Sequence, residues 1–286
     1  MIDIIIVNYN STDYLINCLL SVKNSLNGLP VSIYIQDNAS TDGVDIIRNK
    51  FPEVSLTKNS RNIGFAAAVN NALALGKNPF ILLLNPDTTV SDNFFNECLS
   101  LMKKHAHVGI MGPKVLEKNG QLQHSGRSFP TLLTTLFGRT SILTRMFPNN
   151  SLTLKNLSCV NSNGRSPMEV DWVSGACMVV NRKAVEAVGG LDERFFLYWE
   201  DADWCQRMWE SGWKVVYDPC VSICHITGAS SKKELLRSVM EFHKSAFRLF
   251  EKRKHSLSVS LLQPFILFGL LVRSGMVLIS RLARRE

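Results

Sequence analysis

The sequence predicts an α/β fold with a mainly parallel central sheet, followed by a helical, apolar C-terminal tail. Short aliphatic and β-branched runs alternate with segments of helical spacing over residues 2–84. Polar side chains follow three of these runs, and residues 257–280 are strongly apolar. At roughly 150 residues per domain, the chain of 286 residues holds about two units, which we place at residues 1–230 and 231–286.

The first part of the chain predicts four strands with helices between them. Residues 2–7 form a continuous β-branched run typical of a buried strand, and Ser11 is a candidate cap for the helix that follows. Further strands are predicted at residues 31–35, 54–57 and 80–84, and further helices at residues 44–50 and 65–75. Ser40, Thr41 and Asp42 form a turn that we expect to cap the helix at 44–50. Strands that alternate with helices indicate a parallel sheet covered on both faces.

The second part of the chain is less regular. Residues 126–169 are rich in Ser, Thr, Asn and Pro, and a segment of this length inside a compact domain is usually functional or disordered. Regular structure is predicted again after residue 170. We expect strands at 177–180 and 213–217, a short helix at 184–188, and a helix that leads through residues 207–210.

The net charge and the absence of two phosphate-binding motifs restrict the classes of function that the sequence allows. Lys and Arg number 32 against 24 Asp and Glu, so the net charge is +8. This balance favours anionic partners, which are nucleotide phosphates, nucleic acid or an acidic membrane, although a solvated basic surface is the alternative. Nucleic acid is disfavoured because the basic residues do not interleave with aromatic residues on one element. The Gly-rich phosphate-binding motifs of dehydrogenases and P-loop nucleotidases are absent.

The cysteines and the N-terminus indicate a cytosolic environment. Seven scattered cysteines fit reduced thiols better than a disulfide framework. The N-terminus lacks the basic residues and the long apolar run of a secretory signal. Cys220, Cys224 and His225 could suit zinc, but no second pair of ligands accompanies them.

Polar residues recur just after the predicted strands. Asn8 and Asn10 follow the first strand, and Asp37 and Asn38 follow the second. Ligands of open α/β sheets bind at the carboxyl ends of the strands, so these clusters indicate a binding site. The alternative for each cluster is an ordinary Asn/Asp turn.

A second polar cluster could hold a cation. Asp87 follows the apolar strand at 80–84, and Asn85 offers a neutral oxygen beside it. A carboxylate in this place could hold a divalent cation against a diphosphate. His225 is a possible further ligand if the fold brings it close, although a lone His is more often structural.

An acidic cluster lies between two tryptophans. Glu200, Asp201 and Asp203 stand between Trp199 and Trp204, and carboxylates so crowded can serve as a general base beside a metal or an Arg. Arg207 lies four residues after Asp203, so the two side chains can pair on one helix face. The alternative is a helix cap, because a helix N-terminus favours acidic residues.

In this order, the motifs resemble family 2 glycosyltransferases of the GT-A fold, and within them bacterial rhamnosyltransferases. The likeness covers about residues 2–250. It is carried by Asn8-Tyr9-Asn10, Asp37-Asn38-x-Ser40-x-Asp42, Asn62-x-Gly64, Asn85-Pro86-Asp87, Trp172-x-Ser174-Gly175-Ala176, Glu200-Asp201-x-Asp203-x-x-x-Arg207 and His225.

The resemblance implies roles for these residues. Asp201 would be the base, with Glu200 and Asp203 as the other catalytic candidates, and Asp87 with His225 would hold Mg²⁺ or Mn²⁺. The implied donor-binding residues are Asn8, Asn10, Asp37, Asn38, Asn62, Gly64, Asn85, Trp172, Gly175 and Arg207. One departure is Asn85, which stands where the family's D-x-D motif has its first acid.

The resemblance also implies an inverting transfer from a nucleotide-diphosphate sugar. The donor would be dTDP-rhamnose, and the acceptor a lipid-linked or oligosaccharide precursor of a bacterial surface glycan such as O-antigen, capsule or exopolysaccharide. No nucleic-acid partner is expected. The alternative is a non-catalytic, membrane-associated protein of the same fold that binds sugar nucleotides.

The apolar tail predicts contact with a membrane surface. Residues 257–280 are long enough for a bilayer, but Arg273 and Pro264 disfavour a straight spanning helix. We expect the tail to lie in the interface or to hook into one leaflet, so that the protein sits at the cytoplasmic face of the inner membrane, peripheral or tail-anchored. The alternative is a hydrophobic hairpin packed on the first domain.

Overall fold

The computed structural model describes residues 1–130, 157–226, 235–252 and 263–282. The first elements are β1 (Ile2–Asn8), α1 (Thr12–Ser25), β2 (Val31–Asp37), α2 (Ile46–Lys50), β3 (Ser55–Lys58), α3 (Phe65–Leu73), β4 (Phe80–Leu84), β5 (Thr88–Val90), α4 (Phe94–Lys104) and β6 (Val108–Leu116). They are followed by β7 (Leu122–Gln123), β8 (Gly126–Arg127), a 3₁₀ turn (Ser158–Asn161), β9 (Met168–Glu169), β10 (Trp172–Val173), β11 (Cys177–Asn181), α5 (Arg182–Val188), α6 (Glu200–Glu210), β12 (Lys214–His225), α7 (Leu235–Lys252) and α8 (Gln263–Leu282).

Across the described ranges, the main sheet has the strand order β3-β2-β1-β4-β11-β6-β12-β5, with β7 beside β6 and β9 beside β12. The neighbours β3, β2, β1 and β4 are parallel, as the sequence predicts. β11 runs antiparallel between β4 and β6, and the sequence analysis does not predict this reversal. All five of its residues are buried, and a strand buried on both faces carries no pattern that reveals its direction.

Helices cover both faces of the sheet, which explains the uninterrupted apolar run of β1. Ile4 and Ile6 belong to a core that includes Leu19, whereas Ile5 belongs to a second core that includes Trp204. Successive side chains of a strand point to opposite faces, so a strand between two cores must be apolar throughout.

The turn after β2 caps a different helix from the predicted one. Ser11 occupies the N-cap position of α1, but its side chain makes no capping bond. Asp42 takes that role, because its Oδ2 accepts a hydrogen bond of 2.8 Å from the Thr12 amide and its Oδ1 one of 2.7 Å from the Thr12 hydroxyl. The predicted cap of the second helix is therefore wrong, since α2 begins only after Asp45. Asp42 instead ties the loop after β2 to the start of α1.

The C-terminal helices α7 and α8 pack against each other. Burial lowers the pKa of Arg273 in α8, so this guanidinium is partly removed from water. α8 leaves large apolar side chains exposed, among them Phe265, Phe268 and Ile279. Within the described residues, no helix combines the length and the apolarity that crossing a bilayer requires. Residues 257–262 of the predicted tail lie outside the described residues.

Candidate active site

The ends of β1 and β2 form a buried, internally bonded polar cluster. Asn8 Nδ2 donates to Asp37 Oδ1 at 2.9 Å, and the Asn38 amide donates to the Asn8 carbonyl at 2.8 Å. Asp37 Oδ2 accepts from the Ser40 amide at 3.0 Å. Asn8, Asp37 and Asn38 are almost fully buried, so they shape the loop at this edge. Asn8 Oδ1 is buried and has no hydrogen-bond partner within the part of the chain that the structure describes.

The loop after β2 is fixed from two sides. Asn10 adopts a left-handed backbone conformation with φ of 50°, and its Oδ1 accepts from the Thr41 amide at 2.8 Å. Asn38 Nδ2 donates to the Gly64 carbonyl at 3.1 Å, and the Gly64 amide donates to Asn62 Oδ1 at 3.0 Å. The predicted donor-binding residues from β1, β2 and the start of α3 therefore come together.

Gly64 also brings this cluster against the segment that leads to the acidic motif. Its φ is 91°, and a Cβ at this position would lie 2.7 Å from the Phe196 carbonyl oxygen. The Phe65 amide donates to that same oxygen at 2.8 Å. Only glycine combines the left-handed backbone with so close an approach.

The fold brings Asp87 and His225 together. β5, which begins directly after Asp87, pairs antiparallel with the end of β12. As a result, Asp87 Oδ1 lies 3.2 Å from His225 Nε2. Gln123 holds the other side of the imidazole, because its Oε1 lies 3.0 Å from His225 Nδ1 and its Nε2 donates to the His225 carbonyl at 3.1 Å.

This arrangement fits a divalent cation. Gln123 Oε1 is an acceptor, so Nδ1 carries the proton in neutral His225 and the lone pair of Nε2 faces a carboxylate oxygen. Two electron-rich atoms in this position require a cation or a further proton between them. Two ligands at right angles, each about 2.1 Å from a metal, would be about 3 Å apart, close to the observed 3.2 Å. Among the described residues, no group of three or more His, Cys, Asp and Glu side chains could hold a metal ion.

Asn85 occupies the turn between β4 and the Asp87 pair. Its amide donates to the Ala176 carbonyl at 3.0 Å, and its carbonyl accepts from the Thr88 hydroxyl at 2.6 Å. The backbone of Asn85 thus joins the Asp87 turn to the segment that precedes β11. Its side chain is partly exposed at the same edge.

Asp201 is held at the start of α6 by backbone amides. Its Oδ2 accepts from the Gly175 amide and its Oδ1 from the Ala202 amide, each at 2.8 Å. Burial raises the pKa of the Asp201 carboxyl, and the two amides and the Arg127 guanidinium oppose that rise. A carboxylate that is oriented, partly desolvated and still partly exposed has the properties of a general base.

Glu200 lies deeper than Asp201. Burial, and then the charge of Asp201, raises its pKa well above the ordinary value. Its Oε2 is buried and has no hydrogen-bond partner among the described residues. Burial raises the pKa of both carboxyls, and that of Glu200 more strongly, so Glu200 is the member of the pair that is more readily protonated.

Asp203 and Arg207 form the predicted ion pair, which faces the C-terminal helix. Arg207 Nε lies 2.9 Å from Asp203 Oδ2, and the remaining guanidinium nitrogens donate to the carbonyls of Val188 and Gly190. Lys252 of α7 lies 2.6 Å from Asp203 Oδ1. The structure thus joins Asp203 and Arg207 to α5 and α7, and it does not bring them to Asp201 Oδ2 or to the Asp87 pair.

Aromatic rings line the site beside Asp201. Trp172 donates from its indole nitrogen to the Ser128 carbonyl at 3.0 Å, and its ring lies 5.9 Å from that of Trp199. The Arg127 guanidinium stacks 5.1 Å above the Trp172 ring. The sequence analysis misses Arg127 and Gln123, because both lie on short strands in an irregular region without a motif.

The segment before the acidic motif has a rare backbone conformation. Tyr198 and Trp199 have φ values of 68° and 70°, in the left-handed region. For side chains with a Cβ this conformation costs about 1 kcal/mol or more per residue. It turns the chain sharply into α6 and thereby sets the direction in which the side chains of Glu200 and Asp201 project from the start of that helix.

The model of the family described as glycosyl transferase family 2 matches residues 3–188, which is more than half of the chain. The chain belongs to this family. As a family 2 glycosyltransferase it is an enzyme that transfers sugars, and its motifs at Asn8, Asp37, Asn62 and Asp87 fall within the matched region.

Curated relatives extend the likeness beyond that region. This glycosyltransferase is 28% identical over 270 residues to the N-acetylglucosaminyl-diphospho-decaprenol L-rhamnosyltransferase of Mycobacterium tuberculosis (strain H37Rv), covering 90% of this chain and 85% of the relative. It is 23% identical over 212 residues to the low-salt glycan biosynthesis hexosyltransferase Agl10 of Haloferax volcanii, covering 72% of this chain and 61% of that protein.

Solved structures share the fold. The mannosyltransferase PcManGT from Pyrobaculum calidifontis, in complex with GDP-Man and Mn²⁺, matches with a TM-score of 0.59 at 15% identity, covering 99% of this chain and 79% of that one. A crystal structure of TarS from S. aureus matches with a TM-score of 0.56 at 13% identity, covering 96% and 80%. The predicted α/β class of GT-A type is thus confirmed.

Proposed function

We propose that this glycosyltransferase moves rhamnose from dTDP-rhamnose onto a lipid-linked acceptor in the synthesis of a bacterial surface glycan, with inversion at the anomeric carbon. The observation that carries the activity is the carboxylate of Asp201, which two backbone amides orient at 2.8 Å at the edge where the donor-binding motifs meet. The choice of sugar rests on the 28% identity to a mycobacterial rhamnosyltransferase.

Asp201 takes the proton of the acceptor hydroxyl as that oxygen attacks the anomeric carbon. The bond from this carbon to the diphosphate breaks on the opposite face, which inverts the centre and releases a nucleoside diphosphate. The Gly175 and Ala202 amides keep the carboxylate in one orientation, so little rotational freedom is lost on reaching the transition state. Because burial raises the pKa of Glu200, its neutral form is favoured, which limits repulsion between the two carboxyls beside the base.

Asp87 and His225 would hold a divalent cation. When bound, Mg²⁺ or Mn²⁺ supplies positive charge to the leaving diphosphate. Gln123 fixes the tautomer and orientation of His225, the usual function of a side chain behind a metal-binding imidazole. Asn85 lowers the negative charge of the site compared with two carboxylates, so we expect the cation to bind together with the donor diphosphate.

The membrane surface is the proposed location of the acceptor. α8 exposes Phe265, Phe268 and Ile279, and basic residues flank the tail. An apolar helix face beside cations suits the interface of an anionic leaflet. A polyprenyl-diphosphate acceptor would be presented at that surface, on the cytoplasmic side.

The enzymatic test uses the full-length protein with Mn²⁺, a polyprenyl-diphosphate N-acetylglucosamine acceptor, and dTDP-rhamnose, UDP-glucose or GDP-mannose as donor. We expect transfer from dTDP-rhamnose and an inverted linkage by NMR, with transfer lost in Asp201→Asn. Transfer from UDP-glucose or GDP-mannose alone would contradict the donor assignment. No transfer or donor hydrolysis with a wider donor panel, despite donor binding, would favour the non-catalytic alternative.

The membrane test is flotation with vesicles that contain anionic lipid. We expect wild type to float and the variant Phe265→Ser/Phe268→Ser/Ile279→Ser to float much less, with unchanged thermal stability. A matched control replaces the exposed Leu20 and Leu75 of the first domain by Ser. Equal flotation of all three proteins would contradict the role of α8.

A further inference from the structure

The left-handed turn at Tyr198 and Trp199 is held by side chains of α7. Both the turn and α7 lie beyond residues 3–188, which the family model matches. Two consecutive bulky residues in this conformation persist only where their surroundings hold them. The turn directly precedes Glu200 and Asp201, so its geometry determines where the acidic motif lies. The supporting contacts come from α7, which follows the whole central sheet in the chain.

Three side chains of α7 contact the turn. Ser245 donates from its hydroxyl to the Leu197 carbonyl at 3.0 Å. The hydroxyls of Ser238 and Tyr198 lie 2.6 Å apart. The Phe242 ring lies 5.6 Å from that of Tyr198 and 5.4 Å from that of Trp199. Ser245 is completely buried, so its hydrogen bond is shielded from competing water.

A fourth contact reaches the first turn of α6. Lys252 Nζ lies 2.6 Å from Asp203 Oδ1 and 2.7 Å from Asp192 Oδ2. The Asp203 amide in turn donates to the Trp199 carbonyl at 3.0 Å. α7 therefore holds the acidic motif on both sides, through the turn before it and through the carboxylate two residues after Asp201.

We propose that α7 is a positioning element of the active site, and that Ser238, Phe242, Ser245 and Lys252 set the orientation of the Asp201 carboxylate through the Leu197–Asp203 segment. The proposal deepens the proposed function, since it rests on Asp201 as the base. It assigns a positioning role to Asp203, which acts through Lys252 and the helix start and does not touch the reacting atoms. It also makes the C-terminal region part of the catalytic unit.

The Gly175 amide offers a direct readout. It donates to Asp201 Oδ2 at 2.8 Å, so its protection from hydrogen exchange reports whether the carboxylate is in place, with no need for donor, acceptor or turnover. The Asn38 amide, bonded to the Asn8 carbonyl at 2.8 Å, takes part in none of the α7 contacts named above and serves as the reference amide.

The experiment compares Ser245→Ala, Tyr198→Phe and Ser238→Ala with a control, Lys244→Ala, whose side chain is 57% exposed on the same helix. In the three variants we expect the Gly175 amide to exchange at least ~10-fold faster while the Asn38 amide is unchanged. We expect kcat to fall by ~5- to 50-fold with KM for the donor within about twofold of wild type, because only the base is displaced. Lys244→Ala should match wild type in all readouts.

A double-mutant cycle tests whether the effects of Tyr198→Phe and Ser238→Ala both come from the loss of the hydrogen bond between these two side chains. Tyr198→Phe and Ser238→Ala remove the two ends of one contact, so the double variant should be no worse in kcat than either single variant. Lys252→Arg should retain more activity than Lys252→Met, because it keeps the charge beside Asp203.

Two results would overturn the proposal. One is unchanged exchange at Gly175 in all three variants. The other is faster exchange at Gly175 and Asn38 together, which would show that α7 contributes only to global stability. If wild type transfers no sugar while the exchange pattern appears as expected, the proposed function fails and the structural coupling of α7 to Asp201 stands.

Discussion

His225 Nε2 lies 3.2 Å from Asp87 Oδ1, and this contact lies beside β5, the edge strand of the sheet. Asp87 immediately precedes β5 and His225 ends β12, so the antiparallel pairing of these two strands sets their separation. Because Gln123 Oε1 engages Nδ1 on the opposite side of the imidazole, the ring cannot turn away without losing that hydrogen bond. The pair is therefore preformed in the protein alone.

The first prediction concerns this pair. Asp87→Asn and His225→Gln should each lower transfer by at least ~10-fold and raise the Mn²⁺ concentration needed for half-maximal activity, because each removes a ligand. The measurement is a Mn²⁺ titration of initial rates. His107→Gln, at an exposed position, is the control. Normal rates and an unchanged titration in both variants would exclude this pair as the cation site.

The second prediction concerns Gln123. Gln123→Met removes the partner of His225 Nδ1 while keeping the length of the side chain. We expect Mn²⁺ affinity to fall by ~10- to 100-fold, as is typical when the residue behind a metal-binding His is lost. The fold should be unaffected, since Gln123 lies on a two-residue strand. Equal Mn²⁺ affinity in wild type and variant would show that His225 needs no such support.

The third prediction concerns the pH dependence of transfer. Burial raises the pKa of Asp201, and Arg127 opposes that rise. Activity should therefore increase with pH as Asp201 loses its proton, and Arg127→Met should move this increase to higher pH because the ionised form loses a favourable charge. The kcat profile between pH 4 and 8 is the measurement, with Arg165→Met at an exposed site as the control. A shift to lower pH in Arg127→Met would contradict the assignment.

The fourth prediction concerns the stability contributed by Glu200. Its pKa is raised by burial, so the folded protein holds a proton that the unfolded chain releases above the ordinary pKa of Glu. The free energy of unfolding should then fall as pH rises in that range. Glu200→Gln removes this dependence, so its stability relative to wild type should improve from pH 5 to pH 8 in urea titrations. A constant difference between the two proteins would show that Glu200 titrates normally.

Local patterns predict a large part of the fold. β4 is found at the predicted residues 80–84, because five consecutive apolar or aromatic residues between turn residues suit a buried strand. The acidic motif is found at a helix start, because acidic side chains favour that place. The pairing of Asp203 with Arg207 follows from their spacing on a helix.

Long-range contacts were not predictable in the same way. The direction of β11 depends on which neighbours the chain finds, and its uniform burial does not encode that choice. Arg127, Gln123 and Lys252 reach Asp201, His225 and Asp203 from irregular or distant segments. Neither Asp87 nor His225 indicates a shared site by itself. The family resemblance, which rests on the order of the motifs, implied that they belong to one site. Residues 131–156, which belong to the irregular segment at 126–169, lie outside the described residues.

The reversed direction of β11 has a consequence for the chemistry of the site. Parallel strands such as β1, β2 and β4 leave the sheet at the ligand edge, so the segments that follow them lie there. β11 enters the sheet at that edge, since Cys177 pairs with Leu84 at the end of β4. The residues just before it therefore also lie at this edge, and the Gly175 amide that donates to Asp201 Oδ2 is among them. A single reversed strand thus adds the segment that enters β11 to an edge that the parallel strands build from the segments that follow them.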